Sequence, residues 1–248
     1  MIEVKGVEKS FDGQKVLNGV NLTIADREVT AIIGKSGGGK SVFLKHLIGL
    51  LKPDSGNILI DGEDITRLSG RELDKVREKL GVLFQGGALF DSFTVYENVA
   101  FPLKEKTKLG RKDIRERVLQ ALEDVGLRGM EKKYPAEISG GMKKRVALAR
   151  ALIKEPTVVL FDEPTTGLDP IILHSIHKLI IMTHKKYGFT GIIISHEIPE
   201  IFEVADRVAM LHNGIIVEVG TPEEIKNSSN PLVRQFITGS LEGPIDLF

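Results

Sequence analysis

Eight consecutive residues, Gly34-Lys35-Ser36-Gly37-Gly38-Gly39-Lys40-Ser41, fit the pattern G-x-x-x-x-G-K-[ST], whose chemistry is that of a phosphate cradle. Glycines let the main chain wrap closely around an anion, and the N–H groups at a helix start point at it with the helix dipole behind them. Lys40 would reach the outer phosphates, and the Ser41 hydroxyl would sit on a divalent cation. A glycine-rich turn ahead of any helix has the same composition, so the flanks decide. Residues 28–33 (Glu-Val-Thr-Ala-Ile-Ile) read as a short buried strand and residues 42–48 as the following helix, the setting the cradle requires.

Further polar side chains fall at predicted strand ends. Residues 158–161 are four consecutive apolar positions, the signature of a parallel strand buried on both faces, and Asp162 and Glu163 follow directly. Ligands collect at the carboxyl ends of strands in a doubly wound sheet. There Asp162 could hold a magnesium shell while Glu163 polarises an attacking water; an ordinary loop start is the alternative. Ser195-His196 closes the strand at 192–194, where the imidazole could meet a terminal phosphate or be a loop histidine. Gln85 ends the strand at 81–84, with an amide suited to both metal and water. Ile138-Ser139-Gly140-Gly141-Met142 opens a helix running to residue 152, with Ser139 as N-cap, which makes a second anion site. In a two-fold head-to-tail pair, each chain's Ser139 helix would close on the other's nucleotide.

The elements that must position these groups are legible from hydrophobic period. Residues 2–7 and 16–24 alternate as strands of a partly exposed antiparallel sheet. Phe11 stands in the intervening turn, Ser10-Phe11-Asp12-Gly13, either to stack on a purine or to staple the hairpin. A strand is expected at 57–60 and a short helix at 71–79. From 94 to 155 the period becomes helical, with Ile114, Val118, Leu122 and Val125 on one face and Val146, Ala149 and Ile153 on another. A helix at 171–186 joins strands 158–161 and 192–194 as a βαβ unit. Strands 208–211 and 215–219 flank His212-Asn213-Gly214, a hairpin signal, and Thr221-Pro222-Glu223-Glu224 starts a capped helix.

Composition narrows the class. The 248 residues can bury a real core, and 34 basic side chains cancel 34 acidic ones, so the basic footprint of a duplex-binding protein is missing and nucleic acid is not expected as a partner. With no cysteine there is no disulfide or thiolate chemistry, which suits a reducing compartment. The first residues carry no apolar h-region, and no apolar run nears the roughly 18 residues that span a bilayer. Any work at a membrane is expected to proceed by docking onto something already there.

In chain order, Phe11, the 34–41 loop, Gln85, residues 138–142, residues 158–163, Pro164-Thr165-Thr166-Gly167-Leu168-Asp169 and His196 resemble the motif series of an ABC transporter ATPase subunit over nearly the whole chain. The resemblance implies an α/β fold, a P-loop NTPase (RecA-like) core (1–93 and 156–220) with an antiparallel β subdomain. It also implies a helical insert (94–155) and a C-terminal helix and tail (221–248). It implies ATP and Mg2+ as cofactors and a homodimer. Phe11 becomes the adenine-stacking aromatic, with Val16 and Val42 also at the nucleotide and Gly34, Ser36, Gly37, Gly38, Gly39 and Lys40 around its phosphates. Ser41, Gln85 and Asp162 are the implied metal ligands, Glu163 the catalytic glutamate and His196 the switch histidine. Ser139, Gly140, Gly141 and Met142 serve the partner's nucleotide, and Asp169 links the two sites. Ile138 and Met142 depart from the commoner L-S-G-G-Q; the lost glutamine amide leaves the role of Met142 open.

That methionine, residues 83–95 and the ending 235–244 look like the ATPase of Mla-type, MCE-associated lipid transporters. This finer resemblance implies phospholipid transport between inner and outer membranes in support of outer-membrane asymmetry. The subunit would sit peripherally on the cytoplasmic face of the inner membrane. Its partners would be an integral permease, an MCE-domain substrate-binding subunit and a small accessory subunit. An importer of another solute, such as an amino acid, is the alternative. A soluble ABC ATPase acting on DNA or ribosomes would be expected to carry tandem ATPase domains or a long coiled-coil insert. Leu89, Phe90, Phe93 and Val95 could line a groove for a permease helix or belong to the insert's own core. Lys143-Lys144-Arg145 and the basic cluster at 104–112 read as solvated faces, and the latter could lie near anionic lipid. His174, His177 and His184 share a helix without a carboxylate at ligand spacing, so no zinc site is expected. The tail at 241–248 either reaches across to the other subunit or is a disordered end.

Overall fold

The computed structural model describes residues 1–246. Its first half runs β1 (Ile2–Phe11), β2 (Gln14–Ile24), β3 (Val29–Ile33), α1 (Lys40–Leu47), β4 (Ser55–Ile60), β5 (Glu63–Asp64), α2 (Gly70–Arg77), β6 (Leu80–Leu83), α3 (Val95–Lys106) and α4 (Arg111–Asp124). There follow α5 (Gly140–Leu152), β7 (Val158–Asp162), α6 (Pro170–Tyr187), β8 (Thr190–Ile194), β9 (Arg207–His212), β10 (Ile215–Gly220), α7 (Pro222–Lys226) and α8 (Pro231–Thr238). The chain forms two compact units, one of Met1–Glu78 with the chain from Thr190 onward, the other of Lys79–Phe189.

The first unit holds an antiparallel sheet in the order β2-β1-β4-β5. It also holds the central strand β3, which pairs in parallel with β8 on one side and β9 on the other, while β10 pairs antiparallel with β9. Val-Thr-Ala-Ile-Ile in β3 and Thr-Gly-Ile-Ile-Ile in β8 are buried at every position, as strands covered on both faces must be. Each fully buried isoleucine there contributes about 1.5–3 kcal/mol relative to exposure. The β9–β10 turn places Asn213 at φ 48° and Gly214 at φ 76°, the left-handed pair a two-residue hairpin needs. Helix α8 was not anticipated as a separate element. Its signal is Asn230-Pro231: the asparagine side chain accepts Leu232 N–H as N-cap and the proline fills the first turn.

In the second unit β6 runs parallel to β7. Helix α5 packs against α3, α4, α6 and β6, and Val146, Ala147, Leu148 and Ala149 are sealed in that junction. Three helices begin on side-chain caps. Thr94 and Glu97 form a capping box at α3, Ser139 caps α5, and Asp169 caps α6 ahead of Pro170. Compactness groups β6, β7 and α6 with the helices of 94–155.

Helix α1 buries His46, whose Nδ1 lies 2.7 Å from Val42 O. Burial pushes this imidazole below its ordinary value of 6.5, and the Lys9 ammonium adds to the effect, against a raising influence from the Val42 and Lys52 carbonyls and Asp54. Lowering on folding means that the folded chain binds fewer protons than the unfolded one. This contribution is therefore complete above pH 6.5 and is lost as pH falls below it. Urea midpoints measured from about pH 7.5 down to about pH 5 should fall more steeply for the wild type than for His46→Leu. Parallel curves would mean that another group drives the acid limb.

Candidate functional site

The phosphate loop leaves β3 through Gly34, buried at φ 150°. A Cβ there would lie 2.1 Å from the main-chain oxygen of Leu211, so only glycine lets the loop pass this close to β9. Gly39, left-handed at φ 94°, is the N-cap of α1. Lys40 is buried, and its ammonium donates to Gly34 O at 2.8 Å and Lys35 O at 3.0 Å. Ser36, Gly37 and the Ser41 side chain are exposed. A left-handed glycine turn at the start of a helix, with exposed residues before it and a buried cation beside it, fits a polyphosphate.

In the second unit the predicted Asp162 is the last residue of β7, whose other residues are buried, Glu163 follows it, and Gln85 comes just after β6. The structure brings Gln85 and Glu163 together: Gln85 Nε2 donates to Glu163 Oε2 at 2.9 Å. Thr166 Oγ1 donates to the same carboxylate oxygen at 3.1 Å. The amide of Gln85 thus spends its nitrogen on Glu163 and keeps its oxygen as the donor it would offer a cation. Gln85 and Asp162 in this unit, and Ser41 in the first, each offer an oxygen donor, the kind a magnesium ion prefers. Glu163 itself sits at φ 47°, left-handed for a side chain with a Cβ, which costs about 1–3 kcal/mol and persists only where neighbours enforce it.

Those neighbours include a residue that the sequence reading placed wrongly. Lys144 was expected on a solvated face, yet it is only 7% exposed. Its ammonium donates to the main-chain oxygen of Gln85 and, at 3.3 Å, to that of Glu163. The signal was present in the helical period: Gly141, Lys144, Leu148 and Leu152 recur on the buried side of α5, and a lysine there needs polar partners. Further along α5, Arg150 donates to Gly87 O at 2.6 Å and Ala88 O at 2.8 Å, fixing the loop after Gln85. Arg150 has no place among the residues singled out from sequence, and Thr166 appears there only within the 164–169 run, without a role of its own.

The remaining predicted positions lie as follows. Ser139 and Gly140 are exposed, and Ser139 Oγ accepts Met142 N–H at 3.3 Å, so the start of α5 faces outward. A Cβ on Gly141 would come within 2.5 Å of Ile172 Cγ2 on α6, which explains the glycine by close packing. Asp169 accepts Ile172 N–H at 3.1 Å. His196 is exposed just after Ser195, whose N–H is bound to Ile32 O and whose hydroxyl accepts Glu197 N–H. Phe11 is 41% exposed at the end of β1, with the Lys9 ammonium 5.5 Å from its ring centre. Val16 is half-buried, its carbonyl 3.0 Å from where a Gly39 Cβ would stand, and Val42 is half-buried on α1.

Two surface expectations are refined. Val95 belongs to the core at 0% exposure and Leu89 is half-buried, whereas Phe90 is exposed and clusters with Phe93 and Phe101 at ring separations of 5.0–6.0 Å. The buried Asn98 shapes this loop by bonding Phe90 at both N–H and C=O and accepting no apolar substitute there. The tail packs on its own chain as far as Asp246. Gln235 exchanges two hydrogen bonds with Ile245, which is buried, and Lys35 donates to Asp246 O at 2.8 Å. A cavity of about 360 Å³ lies between the tail and Ser36–Gly38, bordered by His212, whose imidazole is pushed down by burial and by the Lys35 ammonium. Residues 247 and 248 of the tail lie outside the described residues.

Comparison with known proteins agrees with this geometry. Residues 17–166 match the family model described as ABC transporter. The chain is 47% identical over 246 residues to the probable ribonucleotide transport ATP-binding protein mkl of Mycobacterium leprae, spanning 99% of this chain and 71% of that protein. It is 42% identical over 245 residues to the intermembrane phospholipid transport system ATP-binding protein MlaF of Haemophilus influenzae, spanning 99% and 93%. A solved dimeric ATP-binding cassette, in a post-hydrolysis state with ADP and Pi, superposes with a TM-score of 0.82 at 32% identity, over 90% of this chain and 99% of that one.

Because the Leu211 carbonyl is main chain, Gly34→Ala forces the loop off its path. The variant should lose both melting temperature and affinity for a fluorescent ATP analogue; unchanged values for both would show that the loop yields freely.

Proposed function

The chain belongs to the ABC transporter family as an ATP-binding, ATP-hydrolysing subunit, and we propose that it works as a homodimer that drives a phospholipid permease. The observation that carries the hydrolytic assignment is the Glu163 carboxylate, fixed by Gln85 and Thr166 and held in a strained turn. Glu163 accepts a proton from a water as that water attacks the terminal phosphorus in line. The bond from that phosphorus to the bridging oxygen breaks, giving ADP and phosphate. Lys40 turns from its loop carbonyls to the phosphate oxygens, and the loop N–H groups take the remaining charge. Ser41, Asp162 and the Gln85 amide oxygen would hold a magnesium ion, which would supply charge neutralisation at the phosphates. His196 orients the terminal phosphate, and Phe11 stacks on the base, with Val16 and Val42 beside it.

The outward-facing start of α5 supports a head-to-tail pair, in which Ser139, Gly140 and Gly141 of one chain meet the partner's nucleotide. Met142 brings no amide to that contact, so the helix N–H groups carry it, and Asp169 at the start of α6 links the two sites. The related cassette described as dimeric with ADP and Pi supports this assembly. No helix among the described residues is long and apolar enough to cross a membrane. The cargo path therefore belongs to a permease, which the Phe90, Phe93 and Phe101 cluster is suited to receive.

For cargo we follow MlaF, named as the ATP-binding protein of an intermembrane phospholipid transport system, and propose for this chain phospholipid movement between inner and outer membranes, with an MCE-domain subunit and a small accessory subunit as further partners and the inner membrane's cytoplasmic face as the site of work. The greater identity to mkl favours a second reading, ribonucleotide transport. Purifying Glu163→Gln protein from its own membranes in Mg-ATP separates them. ATP turnover should fall at least about a hundredfold with binding retained, and a polytopic permease, an MCE protein and phospholipid should co-purify. Recovery of a permease with bound nucleotide cargo would replace the phospholipid reading, and undiminished turnover would remove Glu163 from its role.

A further inference from the structure

Lys144 stands apart from every residue the family motifs single out. It lies within the helix that Ser139 opens, two positions past Met142, and its side chain is buried. A buried ammonium must be satisfied by hydrogen bonds. Its partners include the main-chain carbonyls of Gln85 and Glu163, which come from two loops far apart in sequence. The side chains of those same two residues are joined as well, Gln85 Nε2 to Glu163 Oε2 at 2.9 Å. The result is a closed ring: amide to carboxylate on one side, carbonyl to ammonium to carbonyl on the other.

Two further facts show that this ring bears on geometry and not only on burial. Glu163 is left-handed at φ 47°, and so is Ala88 at φ 48°, three positions past Gln85. Both unfavourable turns are held through their carbonyls by cations of the same helix, Lys144 at Glu163 and Arg150 at Ala88. Any displacement of α5 therefore moves the carbonyls of the water-activating and metal-facing residues with it. A lysine that only filled space would need no such pair of partners.

We propose that Lys144 is a positioning residue of the ATPase reaction, whose ammonium ties the Ser139 helix to the Glu163 and Gln85 loops and holds the carboxylate where it can take a proton. The inference rests on the ATPase reading given above. Lys144 touches neither substrate nor metal; it acts through Glu163 and Gln85. An arginine retains donors for both carbonyls, whereas methionine keeps length and burial but donates nothing.

The test is steady-state ATP hydrolysis by the full chain as wild type, Lys144→Met and Lys144→Arg, with Glu163→Gln as the reference for loss of chemistry. The expected result for Lys144→Met is a kcat lower by about ten- to a hundredfold, since small misplacements of a reacting group are that costly. KM and the affinity for a fluorescent ATP analogue should stay within about twofold, and Lys144→Arg should recover most of the rate. Hydrogen exchange should quicken in Lys144→Met at residues 86–88 and 164–167 together. If Lys144→Met melts too low to assay, Lys144→Gln takes the same measurements, its shorter amide being expected to show the same split. A wild-type kcat in the folded methionine or glutamine variant would overturn the proposal, as would arginine failing to restore the rate. A purely structural lysine would lower the melting temperature without separating kcat from KM. Absence of Glu163-dependent hydrolysis in the wild type would instead strike the ATPase reading itself.

Discussion

Each of the two units holds a buried ammonium that donates to main-chain carbonyls, and the site chemistry depends on that arrangement. Lys40 is bound by Gly34 O and Lys35 O in the phosphate loop, and Lys144 by Gln85 O and Glu163 O beside the carboxylate. Carbonyl oxygens carry no net charge, so these bonds place each ammonium without themselves neutralising it. For Lys40 they set a positive charge beside the phosphate loop. For Lys144 they turn a charge into a fastener for two loops.

The main chain around these lysines is unusual for the same reason. Gly34 passes against Leu211 O where no side chain fits, and Glu163 adopts a left-handed conformation that a carboxylate-bearing residue rarely takes. Such strain is supported by well-packed neighbours. β3 and β8 are buried at every position in the first unit, and α5 lies amid three helices and β6 in the second. Rigid, apolar elements thus carry short polar loops, and the loops carry the chemistry.

Much of this was legible in the sequence because it follows from period and punctuation. The strand–glycine loop–helix run, the apolar strand ahead of Asp162, the Ser139 cap and the Asn213-Gly214 turn each have a local cause, and each stands where expected within a residue or two. The Gln85–Glu163 contact was foreseen only as two groups at strand ends. Lys144 was misread because its neighbours Lys143 and Arg145 give the stretch a solvated look, while its place on the buried period of α5 went unweighed. Asn98 and Gln235 were invisible for a different reason. Each is a buried amide that satisfies loop backbone eight or ten residues away in the chain, and nothing local marks such a residue. The tail was read as disordered or crossing to a second chain, because an apolar end shows no destination until Gln235 and Lys35 supply one.

The proposed mechanism requires that ATP join two copies of this chain through the outward-facing Ser139 helix. Sedimentation velocity of the full-length Glu163→Gln protein, with and without Mg-ATP, tests this in one experiment, because hydrolysis can no longer release the pair. The mechanism predicts a monomer that becomes a dimer on adding ATP, and a return to monomer when Ser139→Arg is combined with Glu163→Gln. A chain that binds ATP and remains monomeric, or that dimerises equally well with Ser139→Arg, would contradict it.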